Sequence, residues 1–238
     1  MTPAPHPLDA AVAASLAGAH RALARSRGRA ATYSAGVATF AALPPDAGPA
    51  DWADLAGLLG PGALADLFSA EVGPPPDWQP VFRLAGVQMV LDRAGPAGPS
   101  SYDGEVVDLG RADVGDALDL VERTRPGPFG PRTLELGRYV GVRVDGSLVA
   151  MAGERLRPAG WTELSAVCTA PEARGRGLAG RLVAVLAAGA AARGDGVFLH
   201  VVDGNPARAL YERLGSVVRR PVLFSGFRVP EVPGTVVG

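Results

Sequence analysis

The 238-residue chain contains no lysine and no isoleucine, one asparagine (Asn205), one cysteine (Cys168) and three histidines. All 23 of its basic residues are therefore Arg. The missing lysine excludes a P-loop nucleotidase, a protein kinase and a pyridoxal Schiff-base enzyme, each of which needs an amine at a fixed place. A single cysteine excludes a disulfide framework and a cysteine-based zinc site. His6, His20 and His200 are scattered, so no metal is expected. A net charge of −1 and a pI near 6.3 give no electrostatic reason to bind nucleic acid or an anionic membrane. The long apolar stretch Leu182–Ala192 lies between Arg181 and Arg193 and is too short and too Ala-rich to span a bilayer. The N-terminus lacks the basic region of a signal peptide. A cytoplasmic protein is expected.

Gly (32) and Pro (22) are plentiful, but a hydrophobic fraction of 47% is enough to build a core and rules out wholesale disorder. Length alone allows one or two domains. The first part reads as a helix over about 9–27, a strand over 30–42, a helix over 51–70 and a strand over 80–92. The Gly/Pro cluster at 94–104 marks the best boundary, dividing an N-terminal α/β extension (1–103) from a second domain (104–238). Trp52 and Trp78 read as core or rim of the first part. In the second, a strand at 105–110 precedes a helix at 112–125 and a turn-rich loop holding Phe129. Asp145-Gly146 is a strong hairpin signal between strands 138–144 and 147–154. A strand at 162–169, a helix at 177–192, a continuous apolar strand at 196–202, a helix at 206–214 and strand material over 217–227 complete it. The fold class expected is mixed α/β.

The run Pro171-Glu-Ala-Arg-Gly-Arg-Gly-Leu-Ala-Gly180 lies between a strand and a helix. Backbone amides of such a loop can converge on an anion at the helix N-terminus, with Arg174, Arg176 and Arg181 adding charge. A solvated basic turn is the bland alternative. Gly175-x-Gly177-x-x-Gly180 also matches the dinucleotide fingerprint of an NAD(P) oxidoreductase, but Pro171–Arg174 intervene and too little chain follows for that fold. Glu163, in an apolar strand, is costly to bury unless exposed or used; burial would raise its pKa, as suits a base. A solvent-facing strand end is its alternative. Tyr211 belongs to an apolar helical stripe with Ala207, Leu210 and Leu214. Asn205 before Pro206 reads as a helix N-cap. His200 reads as a core histidine, with a base as the lesser reading.

The segment Glu163–Val183, with Arg174-x-x-Gly177-x-Ala179, resembles the acyl-CoA-binding motif of the GNAT superfamily of N-acetyltransferases. Phe198–Gly215, a strand, an Asn, then Leu-Tyr-Glu and Leu-Gly on a helix, is similar to the superfamily's second signature. Met151-AGER with Glu-LSAV is most similar to the branch near the glycine N-acyltransferases. The resemblance spans about 105–228. It implies a mostly antiparallel sheet with a V-shaped splay between the strands at 162–169 and 196–202, flanked by helices. It implies acetyl-CoA, or another acyl-CoA, as co-substrate and direct transfer to a small-molecule or peptide amine in a ternary complex; a homodimer stays open. By the resemblance, Gly175, Arg176, Gly177, Leu178, Ala179 and Gly180 hold the pyrophosphate with Arg174. Val167, Cys168 and Thr169 pair with the pantetheine arm, the amide near Val167 polarising the thioester carbonyl. Asn205 contacts the CoA arm. Glu163 is the implied general base and Tyr211 the acid for the thiolate; Cys168 packs rather than attacks. Phe129, Tyr139 and Trp161 are candidate acceptor-pocket residues. The sequence departs from the family at Ser216, where an aromatic is usual, and Phe224 or Phe227 is the expected substitute. A non-catalytic CoA-binding module is the main alternative. Residues 1–103 are expected to cover the domain or form the acceptor pocket, as a decayed related half.

Overall fold

The computed structural model describes residues 6–68, 73–91 and 104–231. Eleven strands form one sheet: β1 (Ala24–Arg27), β2 (Ala30–Tyr33), β3 (Phe40–Ala42), β4 (Leu64–Phe68), β5 (Gln79–Leu91), β6 (Val106–Leu109), β7 (Tyr139–Val144), β8 (Ser147–Glu154), β9 (Trp161–Thr169), β10 (Gly196–Val202) and β11 (Ser216–Arg228). The helices are α1 (Ala11–Ala17), α2 (Pro49–Leu59), α3 (Val114–Thr124), α4 (Leu178–Ala192) and α5 (Ala207–Arg213). The spatial order is β1-β2-β3-β4-β11-β5-β10-β9-β8-β7-β6. Only β3/β4 and β9/β10 are parallel; every other neighbouring pair is antiparallel. The mixed, mostly antiparallel sheet flanked by helices is the expected class.

That order contains one pattern twice. β1-β2-β3 is antiparallel, and α2 crosses over to β4, parallel to β3. β7-β8-β9 is antiparallel, and α4 crosses over to β10, parallel to β9. The long strand that follows each unit is then exchanged. β5, from the first unit, pairs with β10, and β11, from the second, pairs with β4, while β5 and β11 pair with each other. The sheet is thus continuous across the expected boundary, whose residue 103 lies outside the described residues.

The sequence reading of the first hundred residues differs from the structure in its periods. α1 stops at Ala17, before Gly18, and Ala24–Arg27 pairs as a strand. The two-residue turn Gly28-Arg29 has Gly28 at φ +52°, which favours glycine at the first turn position and closes a hairpin where a long helix was expected. The expected helix at 51–70 ends at Leu59, because Gly60 (φ +90°) and Gly62 (φ +69°) turn the chain into β4. Ala-rich segments carry helix propensity, and tertiary pairing overrides it here.

Three cores result. The largest lies between α3, α4 and one face of β7–β10, with Leu120, Leu182, Leu186, Met151 and Leu199 at its centre. A second lies under α1, where Leu8, Val12 and Leu16 meet Phe40, Leu156 and Phe198. The third lies under α2 and holds Trp52 and Trp78, edge to face at 5.0 Å. These tryptophans are core. Phe198 and Leu199 are adjacent on β10, so α1 covers the sheet face opposite to α3 and α4. Among the described residues no helix is long and apolar enough to cross a membrane.

Candidate active site

β9 and β10 pair only at Gly196–Trp161, Val197–Thr162 and Phe198–Glu163, and then diverge. On its other side β9 carries a bulge against β8: the partners step from Gly153–Ser165 to Met151–Cys168, with Ala166 at φ +52°. A bulge adds a residue to one strand and bends it away from its neighbour. The bulge immediately precedes Val167, near which the resemblance places the amide that polarises the thioester carbonyl. A groove of about 390 Å³ fills the divergence, within the range of a small-ligand site.

The groove is lined by Leu164–Thr169 on β9, by His200 and Val201 on β10, and by Asn205, Tyr211 and Arg174. Val167, Cys168, Thr169, Arg174, Asn205 and Tyr211 therefore come together as expected. Past Arg174, Gly175 (φ +78°) and Gly177 (φ +76°) both take the left-handed conformation that glycine adopts without strain. A Cβ at Gly175 would meet nothing within 4 Å, so this face of the turn is open. Gly177 caps α4, whose first intrahelical bond runs from Arg181 N–H to the Gly177 carbonyl. The amides before Arg181 thus have no acceptor within the helix, and a helix dipole is aligned behind them. Gly175, Arg176, Gly177, Leu178, Ala179 and Gly180 form this turn and first helical residues. Arg174 Nε donates to the Thr169 carbonyl at 3.3 Å, and Arg181 to the Gly104 carbonyl at 2.6 Å.

Tyr211 is buried, and burial raises its phenol to about 12, so it holds its proton at neutral pH. Burial also raises the Cys168 thiol, which stays neutral and packed. Asn205 Oδ1 accepts from Ala207 N–H at 2.9 Å, a turn bond across Pro206, which itself caps α5 one residue later than Asn-Pro suggested. Neither Phe224 nor Phe227 lines the groove behind Ser216: Phe224 packs on His200 and Phe68, and Phe227 on Trp52. Phe129 and Tyr139 pack edge to face at 5.9 Å and Trp161 sits against His6; none of the three lines the groove.

Glu163 departs from expectation. It is fully buried, does not line the groove, and has both oxygens engaged. Arg155 binds it twofold, Nε to Oε2 at 2.8 Å and Nη2 to Oε1 at 2.6 Å. The guanidinium lies over Phe40 (4.9 Å) and Phe68 (5.7 Å). Burial by itself pushes the Glu163 carboxyl up, as read from the sequence. Arg155, through its charge and its hydrogen bonds, and then His200 outweigh it and bring the carboxyl down to about 2. Off the groove and with both oxygens held, this carboxylate does not face an incoming ammonium there.

The carboxylate instead directs His200. Gln88 fixes the tautomer: its Oε1 accepts from Arg219 Nη1 (2.7 Å), and its Nε2 donates to the Leu8 carbonyl (3.0 Å). The amide therefore also turns an N–H toward His200 Nε2, 3.1 Å away. Nε2 must accept, so the ring proton sits on Nδ1, which donates to Glu163 Oε1 at 2.6 Å. Arg155, Glu163, His200 and Gln88 form one chain in which His200 Nε2 is the acceptor and the Gln88 amide its donor. Sequence reasoning missed Arg155 and Gln88. The available signals were a polar residue inside the apolar run Val87–Val90 and an Arg closing β8's apolar stretch.

A GNAT-family protein of Novosphingobium aromaticivorans, assigned as an acetyltransferase, superposes with a TM-score of 0.82 at 40% identity, over 94% of this chain and 98% of its own. The chain belongs to the GNAT family. An FR47-like protein family model matches residues 139–224, which run from β7 to the middle of β11 and include the groove and the glycine turn. The fold is also shared by a GCN5-related N-acetyltransferase of Kribbella flavida (TM-score 0.60, 18% identity, 96% of this chain and 97% of that one). No curated protein sequence matches the chain. The GNAT assignment accounts for the parallel pair that parts, the bulged strand and the glycine turn on α4.

Proposed function

We propose that this GNAT-family chain is an acyl-CoA-dependent N-acyltransferase that moves the acetyl group of acetyl-CoA to a small-molecule amine. The observation that carries this reading is the divergence of β9 from β10 after Glu163–Phe198, opening a groove between the bulged strand and Tyr211. Acetyl-CoA supplies the activated acyl group. The turn at 175–180 fits its pyrophosphate: two left-handed glycines, no Cβ on the open face, and helix amides behind. Val167, Cys168 and Thr169 offer strand backbone to the pantetheine arm, with Asn205 across the groove. His200 Nε2 takes the proton of the incoming ammonium, and Glu163 orients the ring and balances the charge it gains. Tyr211 gives its proton to the sulfur as the carbon–sulfur bond breaks, and the second proton leaving the newly bonded nitrogen restores the phenol, so that the one net proton released is the one His200 took. Glu163 thus acts through His200 rather than on the amine. Placement near the glycine N-acyltransferases rests on Met151–Arg155 and Glu163–Val167. The two-unit strand order supports a related but altered first half.

The test is thiol release from acetyl-CoA against a panel of amines. Steady release with at least one amine, together with a rise in melting temperature on adding acetyl-CoA but not NAD(P), supports the reading. Stabilisation by acetyl-CoA without turnover of any amine would establish a binding module instead.

A further inference from the structure

His200 borders two cavities. Besides the groove, it lines a cleft of about 100 Å³ under α1, with Gln88 beside it on the floor. Cross-strand pairing puts His200, Gln88 and Arg220 in one row: His200 is opposite Gln88, and Gln88 is opposite Arg220. Residues directly opposite one another point to the same face. α1 covers that face, whereas the groove is walled by Tyr211 and residues packed with α3 and α4. Because β9 parts from β10, one side chain of β10 is reached from both faces of the sheet.

From this we infer that the cleft under α1 is the acceptor site, and that it takes a small aliphatic primary monoamine. The inference rests on the acyltransferase reading above. Three features fix the ligand class. The walls are apolar, from Val12 and Ala13 of α1, Leu43 and Pro44 after β3, and Leu67 and Phe68 of β4. The volume holds a short chain, several times the space of one water and far less than a peptide segment requires. At the rim Asp9 is held by two arginines, Arg219 at 2.7 Å and Arg220 at 3.0 Å, leaving one positive charge in excess, which disfavours a second ammonium. The amine nitrogen takes the place of the Gln88 amide at His200 Nε2 and gives its proton there.

Ala13, half-buried on α1, tests this without touching His200, Glu163 or the groove. With n-butylamine as acceptor, Ala13→Phe is expected to raise KM at least about tenfold, with the acetyl-CoA Kd within about twofold of wild type. Butylamine is expected to exceed spermidine and a glycyl peptide in kcat/KM. An unchanged butylamine KM in a folded Ala13→Phe variant, or preference for spermidine or the peptide, overturns the inference while leaving the acyltransferase reading intact. Failure of acetyl-CoA to bind sinks that reading instead, and the cleft is then judged by NMR of the histidine rings. Millimolar butylamine must shift the His200 signals in wild type and not in Ala13→Phe, and absence of a shift in wild type overturns the inference.

Discussion

Glu163→Gln removes the charge and keeps the shape. Arg155, its side chain 11% exposed, loses its bidentate carboxylate partner and keeps only the more distant Asp66 against a site that is fully closed. Breaking a buried pair in this way costs about 3–5 kcal/mol, because the remaining ion stays desolvated and unpaired. A second route gives the same scale. A carboxyl at about 2 in the native state, against an ordinary 4.5, contributes about 3 kcal/mol to folding. The sign follows from the depressed value: the contribution is complete above the ordinary carboxylate range and is lost as pH falls from about 4.5 toward 2. At pH 7 the variant should therefore melt about 6–20 °C lower, at about 2–4 °C per kcal/mol for a chain of this size. Its stability should also fall less steeply than wild type on acidification. Urea unfolding followed by circular dichroism between pH 3 and 7 measures both arms. Arg155→Met in the Glu163→Gln background should recover most of the loss, since the new amide oxygen still accepts from His200 Nδ1 and no charge is stranded. A single-variant cost under about 1 kcal/mol, or a double variant as unstable as the sum of the singles, would refute the dry, coupled pair.

His200→Gln is expected to lower kcat by about 10²–10⁴ with the acetyl-CoA Kd unchanged, read by thiol release and titration calorimetry; an unchanged kcat removes it as the base. Tyr211→Phe keeps the ring in its core and removes only the proton donor, so kcat should fall about 10²-fold while the melting temperature holds. Gly177→Ala places a side chain at φ +76°, at about 1–2 kcal/mol, and should weaken acetyl-CoA binding about tenfold as the turn shifts. Calorimetry should count one CoA per chain; a count of two would contradict the difference in anion-binding chemistry between the two crossovers.

Local signals read well where one segment decides the structure. Asp145-Gly146 closes β7 and β8 with Val144 opposite Ser147, both turn residues having positive φ, and the glycine turn sits between β9 and α4 as its spacing implied. The groove residues followed, because they lie on two consecutive strand–helix units. What failed depends on partners distant in sequence. The Glu163 carboxyl was read as raised because a sequence reports burial and not its neighbours. Arg155 lies eight residues away on an adjoining strand end, and His200 thirty-seven away. Gln88 meets His200 across 112 residues because β5 is inserted between β10 and β11, an exchange with no local motif.

The two parallel crossovers share topology and oppose each other in chemistry. After β9 the chain places left-handed glycines and arginines before α4, and the helix amides face outward. After β3 the equivalent connection, Leu43–Gly48, carries Pro44 and Pro45, and α2 begins on Pro49; prolines have no N–H to offer. Asp51 in the first turn of α2 accepts the Gly48 amide at 2.8 Å, filling the place an anion would take, and is itself tied to Arg29 at 2.6 Å. A phosphate there would meet the Asp51 carboxylate, which disfavours an anion at this crossover. Yet the same connection, through Leu43–Pro45 and Ala47, walls the cleft that reaches His200. One copy of the pattern carries the glycine turn before its helix. The other carries prolines and Asp51 in the corresponding place and, with α1 and the exchanged strand β5, walls the cleft that His200 lines.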